Sequence, residues 1–229
     1  MNIEYTTTAT CRPEVFERTL ASFSSKLIGN NFKSSLLHLN VDPVPVANDA
    51  VEVLRVARRY FGSVNCNIPE RPSFPAAVRW CWSQPSTDYF FHLEDDWEMT
   101  EPFALKDMVE LMERHVGLSC VNLRAYVGAR SKIDTRICLL PGLHRTRDAK
   151  VIASRLSLTA NPEKQLRPIT AENPEGGKQD PFIGTQVPMY PILRDIGREW
   201  LSKSGWEKDR QVYFTTWRKK KGPANDPIA

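Results

Sequence analysis

At 229 residues, with hydrophobic side chains at 41% and charged ones at 25%, the chain has an ordinary globular composition and enough length for one sizeable core. The formal charge of +4 is mild, no apolar run approaches the ~18 residues that cross a bilayer, and no low-complexity stretch or internal repeat is present. The five cysteines (Cys11, Cys66, Cys81, Cys120 and Cys138) are odd in number and widely spaced, which argues against a disulfide framework or a zinc site and for reduced thiols. Cys81, between Trp80 and Trp82, reads as core filling. Met1 to Tyr5 is polar and resembles no secretory leader, so the expected compartment is the cytoplasm, or the host cytoplasm if the protein is viral.

Ile3 to Thr8 alternates with β-branched residues and predicts a strand, followed by a loop through Thr10-Cys11-Arg12 and a helix opened by Pro13, with Val15, Phe16, Leu20 and Phe23 on its buried stripe. Leu36 to Val41 is a second strand, stopped by Asp42-Pro43. Asn48 or Asp49 caps a helix running to Tyr60 and closed by Gly62, and Ser63 to Ile68 is a third strand. Phe74 to Ser83 reads as a helix and Asp88 to Leu93 as a fourth strand, apolar on both faces. A helix from Phe103 to Arg114 and a strand from Leu118 to Leu123 follow.

This β-α order predicts an α/β fold with a mainly parallel sheet and helices on both faces. The second half is less regular. Ile137–Leu140, Val151–Ala153 and Arg155–Leu158 resemble short strands, Asn161 to Asp180 a long polar loop, Pro191 to Lys203 a helix and Val212 to Trp217 a last strand. The expected organisation is one compact domain, with residues 1–125 as one half and 126–229, including loop 161–180, as the other.

The chemistry concentrates where the fourth strand ends. Glu94, Asp95 and Asp96 follow the run Tyr89-Phe90-Phe91-His92-Leu93 directly, placing three carboxylates at the carboxyl end of a core strand, where open α/β sheets bind ligands. Ionised carboxylates this close repel one another, and a bound cation resolves the conflict. Oxygen ligands without a companion His or Cys favour Mg²⁺ or Mn²⁺ over Zn²⁺. His144, beside Arg145 and Arg147, reads as a further ligand, a phosphate contact or a surface histidine. Trp80 and Trp82, two apart on a helix, cannot both face the core. Basic clusters at Arg145, Arg147, Lys150 and Arg155 and at Arg218 to Lys221 could neutralise phosphates.

The turn Thr7-Thr8-Ala9-Thr10-Cys11-Arg12-Pro13, Asp42 and above all His92-Leu93-Glu94-Asp95-Asp96-Trp97-Glu98 resemble a GT-A fold nucleotide-sugar glycosyltransferase, with Glu94-Asp95-Asp96 in the place of the family's D-x-D motif. Ser157 to Pro162 is similar to the segment that leads to the acceptor side. The resemblance implies a uridine diphosphate sugar donor and a Mn²⁺ or Mg²⁺ cofactor held by Asp96 and Glu94. It implies donor contacts from Thr8, Thr10, Arg12, Asp42, Arg79, Glu94 and Asp95. If the enzyme inverts, a base drawn from Asp180, Glu175 and Glu172 would take the acceptor proton. A basic, anchorless chain of this kind fits a hydroxymethylated base in DNA as acceptor, as in some bacteriophage enzymes; a polysaccharide or lipid-linked hydroxyl fits equally. A nucleotidyltransferase is disfavoured because residues 6–13 contain no glycine for a phosphate loop, and a non-catalytic nucleic-acid module because it would not place three acids together.

Overall fold

Alternation of Tyr5, Thr7 and Ala9 with Glu4, Thr6 and Thr8 makes the first strand two-faced, and the rest of the sheet follows that division. The computed structural model describes residues 2–44, 49–125, 137–166, 182–188, 190–210 and 215–220. In chain order the elements are β1 (Glu4–Thr10), α1 (Pro13–Lys26), β2 (Leu27–Ile28), β3 (Leu36–Asp42), α2 (Ala50–Tyr60), β4 (Ser63–Asn67), α3 (Phe74–Ser83), β5 (Tyr89–Glu94), β6 (Trp97–Met99), β7 (Phe103–Ala104), α4 (Leu105–Arg114) and β8 (Leu118–Leu123). They continue with β9 (Gly142–Arg145), α5 (Thr146–Arg155), α6 (Pro162–Gln165), β10 (Ile183–Val187), β11 (Leu193–Asp195), α7 (Ile196–Lys203), β12 (Trp206–Arg210) and β13 (Thr215–Lys219).

The main sheet has seven strands in the order β10-β8-β9-β5-β1-β3-β4, all parallel except β9, which runs against both β5 and β8. Reversed β9 fits because Gly142 lies against the neighbouring strand: a Cβ there would come within 2.6 Å of the Val121 carbonyl oxygen. From β1 the chain steps outward to β3 and β4, then returns to the other side of β1 as β5. That reversal puts a topological switch point between the carboxyl ends of β1 and β5.

One face carries Tyr5, Leu37, Leu39, Val41, Phe91 and Leu93, all buried, and packs beneath α1, α2 and α4 through Phe16, Phe23, Val53, Ala57 and Met108. The opposite face meets α3 and α5, with Trp82, Cys81, Phe90, Cys120, Ile152 and Ala153 as its apolar part. By the pleat of the strands this face also presents Glu4, Thr6, Thr8, His38, Asn40, Asp42, His92 and Glu94. Trp82 is fully buried and Trp80 half-buried, the split that their spacing demands. The cysteines are unbridged; Cys81 is fully buried.

The first half forms the predicted elements with boundary shifts of a residue or two. The second half departs further. Residues 137–140 form no strand, and the ladder begins at Gly142; Ile137 and Leu139 are buried alternately, which gives them a strand-like pattern without a partner. Val151 to Arg155 belongs to α5, whose buried Ala149, Ile152 and Ala153 follow helical spacing. The helix expected from Pro191 starts at Ile196, because Leu193–Asp195 pairs antiparallel with β6 and Asp195 then caps the helix by accepting from the Arg198 N–H at 3.0 Å. The last strand is Thr215–Lys219, paired with Trp206–Arg210, a partner not anticipated; residues 212–214 lie outside the described residues. No helix among the described residues is long and apolar enough to cross a membrane.

Candidate functional site

The register of the central strands brings the sequence motifs to one edge: Thr8 lies opposite Glu94, and Thr10 opposite Asp42. Immediately past β5 the chain turns through Asp95 and Asp96. The Asp95 N–H donates to the Thr8 carbonyl at 3.2 Å, and Thr19 of α1 donates its hydroxyl to the Asp95 carbonyl at 2.8 Å. The acidic turn is therefore fastened to both β1 and α1.

The three carboxylates have different surroundings. Asp95 is buried, with Oδ2 accepting from the Thr10 N–H at 2.9 Å and the Thr10 hydroxyl at 3.1 Å, and Oδ1 accepting from Arg12 Nη2 at 2.7 Å. Burial pushes its carboxyl up and Arg12 pulls it back. Asp96 is more open, and its Oδ2 accepts from the same Arg12 nitrogen at 3.1 Å. Glu94 is half-buried and accepts from Trp97 Nε1 at 2.9 Å. Burial, then the charges of Asp96 and Glu163, raise the Glu94 carboxyl well above its ordinary range.

Arg12 is buried to 2% exposure and donates Nε to the Thr10 hydroxyl at 2.7 Å. Its guanidinium lies 5.5 Å from the Trp200 ring centre and 5.4 Å from that of Trp217. Burial opposes its charge, and the two aspartates outweigh burial, so Arg12 remains protonated. Arg12 thus sits behind the acids, as their counter-ion.

Asp42 terminates β3, with Oδ1 accepting from Asn40 at 2.9 Å and Oδ2 from the Ser73 N–H at 3.0 Å, which ties it to the start of α3. Burial pushes its carboxyl up to about 6. Thr8 is buried between Glu94 and Asn40 in the register. Arg79 is exposed on α3, six residues past the cap Ser73 and so about 9 Å along the helix axis; among the described residues it makes no ion pair with the acids. Asp180, Glu175 and Glu172 lie outside the described residues.

His144 is corrected by the structure. It is 2% exposed, packed at 4.8 Å from Trp82 and stacked at 5.3 Å on Phe90, and burial pushes its pKa down to about 3. It is a neutral core residue on the polar face of the sheet, neither a metal ligand nor a surface group. Arg145 is likewise turned inward, donating to the Leu118 and Met112 carbonyls at 3.2 and 3.0 Å and lying over the Tyr89 ring.

Sequence reasoning missed Glu163. It stands exposed in α6, which Asn161 caps by accepting from the Glu163 N–H at 2.8 Å, and its charge reaches Glu94. The available signal was Asn161-Pro162, a cap followed by a first-turn proline, directly ahead of it.

A divalent cation fits this group on charge and donor chemistry. Two of the three carboxylates, Asp95 and Asp96, share one guanidinium, all the donors are oxygens, and a bound cation would favour the ionised form of Glu94, whose carboxyl burial and neighbouring acids push up. Among the described residues no three His, Cys, Asp or Glu side chains converge as a complete cage. One or two carboxylates with the remaining positions left to water and phosphate is the pattern Mg²⁺ adopts.

No family model and no curated protein matches the chain. Solved structures do: S. aureus TarS aligns with a TM-score of 0.54 at 10% identity over 83% of this chain and 36% of that one. TarS residues 1–349 align with a TM-score of 0.55 at 11% identity, over 83% of this chain and 60% of that one. A structure of TarS 1–349 in complex with UDP-GlcNAc aligns at a TM-score of 0.46 and 10% identity, over 83% and 60%. The chain spans less than two thirds of the length of these matched structures. At such identities the likeness is one of architecture: the chain has a GT-A-like α/β fold, with a mostly parallel seven-stranded sheet flanked by helices.

Proposed function

We propose that this protein is a metal-dependent glycosyltransferase that moves a sugar from a nucleotide sugar, a uridine diphosphate sugar in the first instance, to an acceptor hydroxyl. The observation that carries the reading is the convergence of Thr10, Asp42 and the Glu94-Asp95-Asp96 turn on the carboxyl ends of β1, β3 and β5, at the switch point of a GT-A-like sheet. Residues 1–125 supply the donor half and 126–229 the acceptor side.

In this reading Asp42 and the Thr8–Thr10 segment line the base and ribose, while Asp96 and Glu94 hold Mn²⁺ or Mg²⁺; Arg12, expected from the sequence as a donor contact, is instead buried as the counter-ion of Asp95 and Asp96. When bound, the cation neutralises negative charge accumulating on the departing nucleoside diphosphate. Asp95 contributes by fixing the turn: its bonds to Thr10 and Arg12 lock β1 to the acidic motif, so Asp96 is presented in one orientation. Arg79 is retained as a diphosphate contact. Glu163 joins Asp180, Glu175 and Glu172 as a candidate to take the acceptor proton, because it is exposed and close enough to Glu94 for its charge to act there.

The test is a screen of nucleotide sugars for Mn²⁺-dependent hydrolysis in the absence of acceptor. The expected result is release of one nucleoside diphosphate, lost on chelation. Turnover unaffected by chelation would remove the metal from the mechanism. No turnover with any nucleotide sugar, together with no nucleotide binding, would remove the glycosyltransferase. For the acceptor we propose a hydroxymethylated base in DNA, which requires salt-sensitive retention of duplex DNA. Absence of retention at low salt would pass the role to a polysaccharide or lipid-linked hydroxyl.

A further inference from the structure

The acidic turn is gripped from outside by a part of the chain a hundred residues later in sequence. The Ile196 N–H donates to the Asp96 carbonyl at 2.9 Å, and Asp195 of β11 pairs with Trp97 of β6, so the start of α7 lies directly on the motif. The approach at Gly197 is closer still. A Cβ there would lie 2.2 Å from Asp96 Oδ2, 2.8 Å from Cγ and 2.9 Å from Cβ, so the carboxylate occupies the space a side chain at 197 would take. On its other side the same Oδ2 accepts from Arg12 Nη2 at 3.1 Å.

Arg12 is itself held by the C-terminal region. Its guanidinium lies 5.5 Å from Trp200 of α7 and 5.4 Å from Trp217 of β13, and the two rings meet edge to face at 5.7 Å. Trp200 is anchored by donating Nε1 to Glu14 of α1 at 2.5 Å. A guanidinium flanked by aromatic rings loses the freedom to swing, and its fork of donors is fixed with it.

We propose that Gly197, Trp200 and Trp217 are positioning residues for Asp96. Gly197 leaves the space in which the carboxylate rests, and the two tryptophans hold Arg12 so that it orients that carboxylate. This rests on the reading of Asp96 as a cation ligand. It makes the cation site a product of two distant segments, although the C-terminal one supplies no ligand. Outer contacts of this kind change metal affinity by roughly 10- to 100-fold in known metal sites.

The test uses the full chain with Gly197→Ala, Trp217→Ala, Trp217→Phe, and Gly117→Ala as control, since a Cβ at Gly117 meets nothing within 4 Å. Without metal, the carboxyl carbon NMR signal of Asp96 should shift in Gly197→Ala and Trp217→Ala and stay in place in Gly117→Ala. In the presence of Mn²⁺, UDP affinity should fall about 10-fold or more in the same two variants, with Trp217→Phe restoring most of it because a phenyl ring still covers the guanidinium. An unmoved Asp96 signal, or a moved signal with unchanged Mn²⁺-dependent UDP affinity, overturns the proposal. Should Trp217→Ala fail to fold, Gly197→Ala decides the question. Wild-type protein that binds no UDP with Mn²⁺ defeats the proposed function instead, and the metal-free signals then judge the clamp by themselves.

Discussion

The two faces of the central sheet are made from the same strands and have different work. Under α1, α2 and α4 the strands contribute Tyr5, Leu37, Leu39, Val41, Phe91 and Leu93, a dry layer with aromatic rings meeting edge to face, such as Tyr5 and Phe32 at 4.8 Å. Under α3 the neighbouring residues of those strands are joined by polar contacts: Glu4 to His38 at 2.7 Å, Thr6 to His92 at 2.8 Å and Asn67 to Asn40 at 2.7 Å. This polar row ends at Asp42 and Glu94, the acidic members of the candidate site that lie within strands. One residue of register separates packing from chemistry along each strand, so a one-residue slip would bury the acids in the apolar layer.

Substitution on the dry face should damage stability and leave chemistry alone. Phe91→Ala removes a fully buried ring, and its expected loss is about 3–5 kcal/mol in denaturant unfolding, with nucleotide affinity per folded molecule unchanged. Unchanged stability would mean that this face does not carry the fold. At the site the reverse should hold. Asp96→Ala should reduce metal-dependent turnover by on the order of 10²–10³-fold while shifting the unfolding midpoint little, because Asp96 is among the more exposed of the three acids. Glu163→Gln should lower kcat by roughly 10²-fold or more with donor binding retained if Glu163 takes the acceptor proton; an unchanged kcat returns that role to residues 172–180.

Asp42 gives the comparison a pH axis. Its folded pKa of about 6 lies above its ordinary 3.8 because burial disfavours the charge, so protonation stabilises the fold at low pH and this contribution is lost as pH rises from about 4 through 6. A base N–H bonds the ionised carboxylate more strongly than the protonated acid. Below pH 6, UDP affinity should therefore fall by up to about tenfold per pH unit, the slope of a single proton, and Asp42→Asn should flatten it. A wild-type affinity that is constant between pH 4.5 and 7 would remove Asp42 from base recognition.

The smallest expected change is on the polar row away from the site. Glu4 is held below its ordinary range because hydrogen bonds from Ser86 and His38 outweigh its burial, so it stabilises the fold at neutral pH and that contribution fades as pH drops through its lowered pKa. Glu4→Gln should cost about 1–3 kcal/mol at pH 7 and progressively less in acid, measured by denaturant titration at several pH values.

Much of the first half was legible because its signals are local. Alternating strands, the Pro13 helix start and the carboxylates after Leu93 each declare themselves within a dozen residues. The second half was not, because its structure is set by distant partners. Leu193–Asp195 is a strand only because β6 lies alongside, and Trp206–Arg210 only because of β13. His144, beside arginines, read as a ligand, a phosphate contact or a surface residue, and nothing near it in sequence announces Trp82 and Phe90 as its surroundings. The acidic motif itself was plain to read. That Arg12 would pair with two of its carboxylates, beneath tryptophans from residues 200 and 217, depends on contacts between residues nearly two hundred positions apart.

Calorimetric titration of the wild-type protein with UDP, with and without Mn²⁺, tests the central claim most directly. Glu94 and Asp96 as ligands of a donor-bridging cation predict a saturable heat of binding with Mn²⁺ that disappears on chelation and in Asp96→Ala. Binding of equal strength without the metal, or unimpaired in Asp96→Ala, would contradict it.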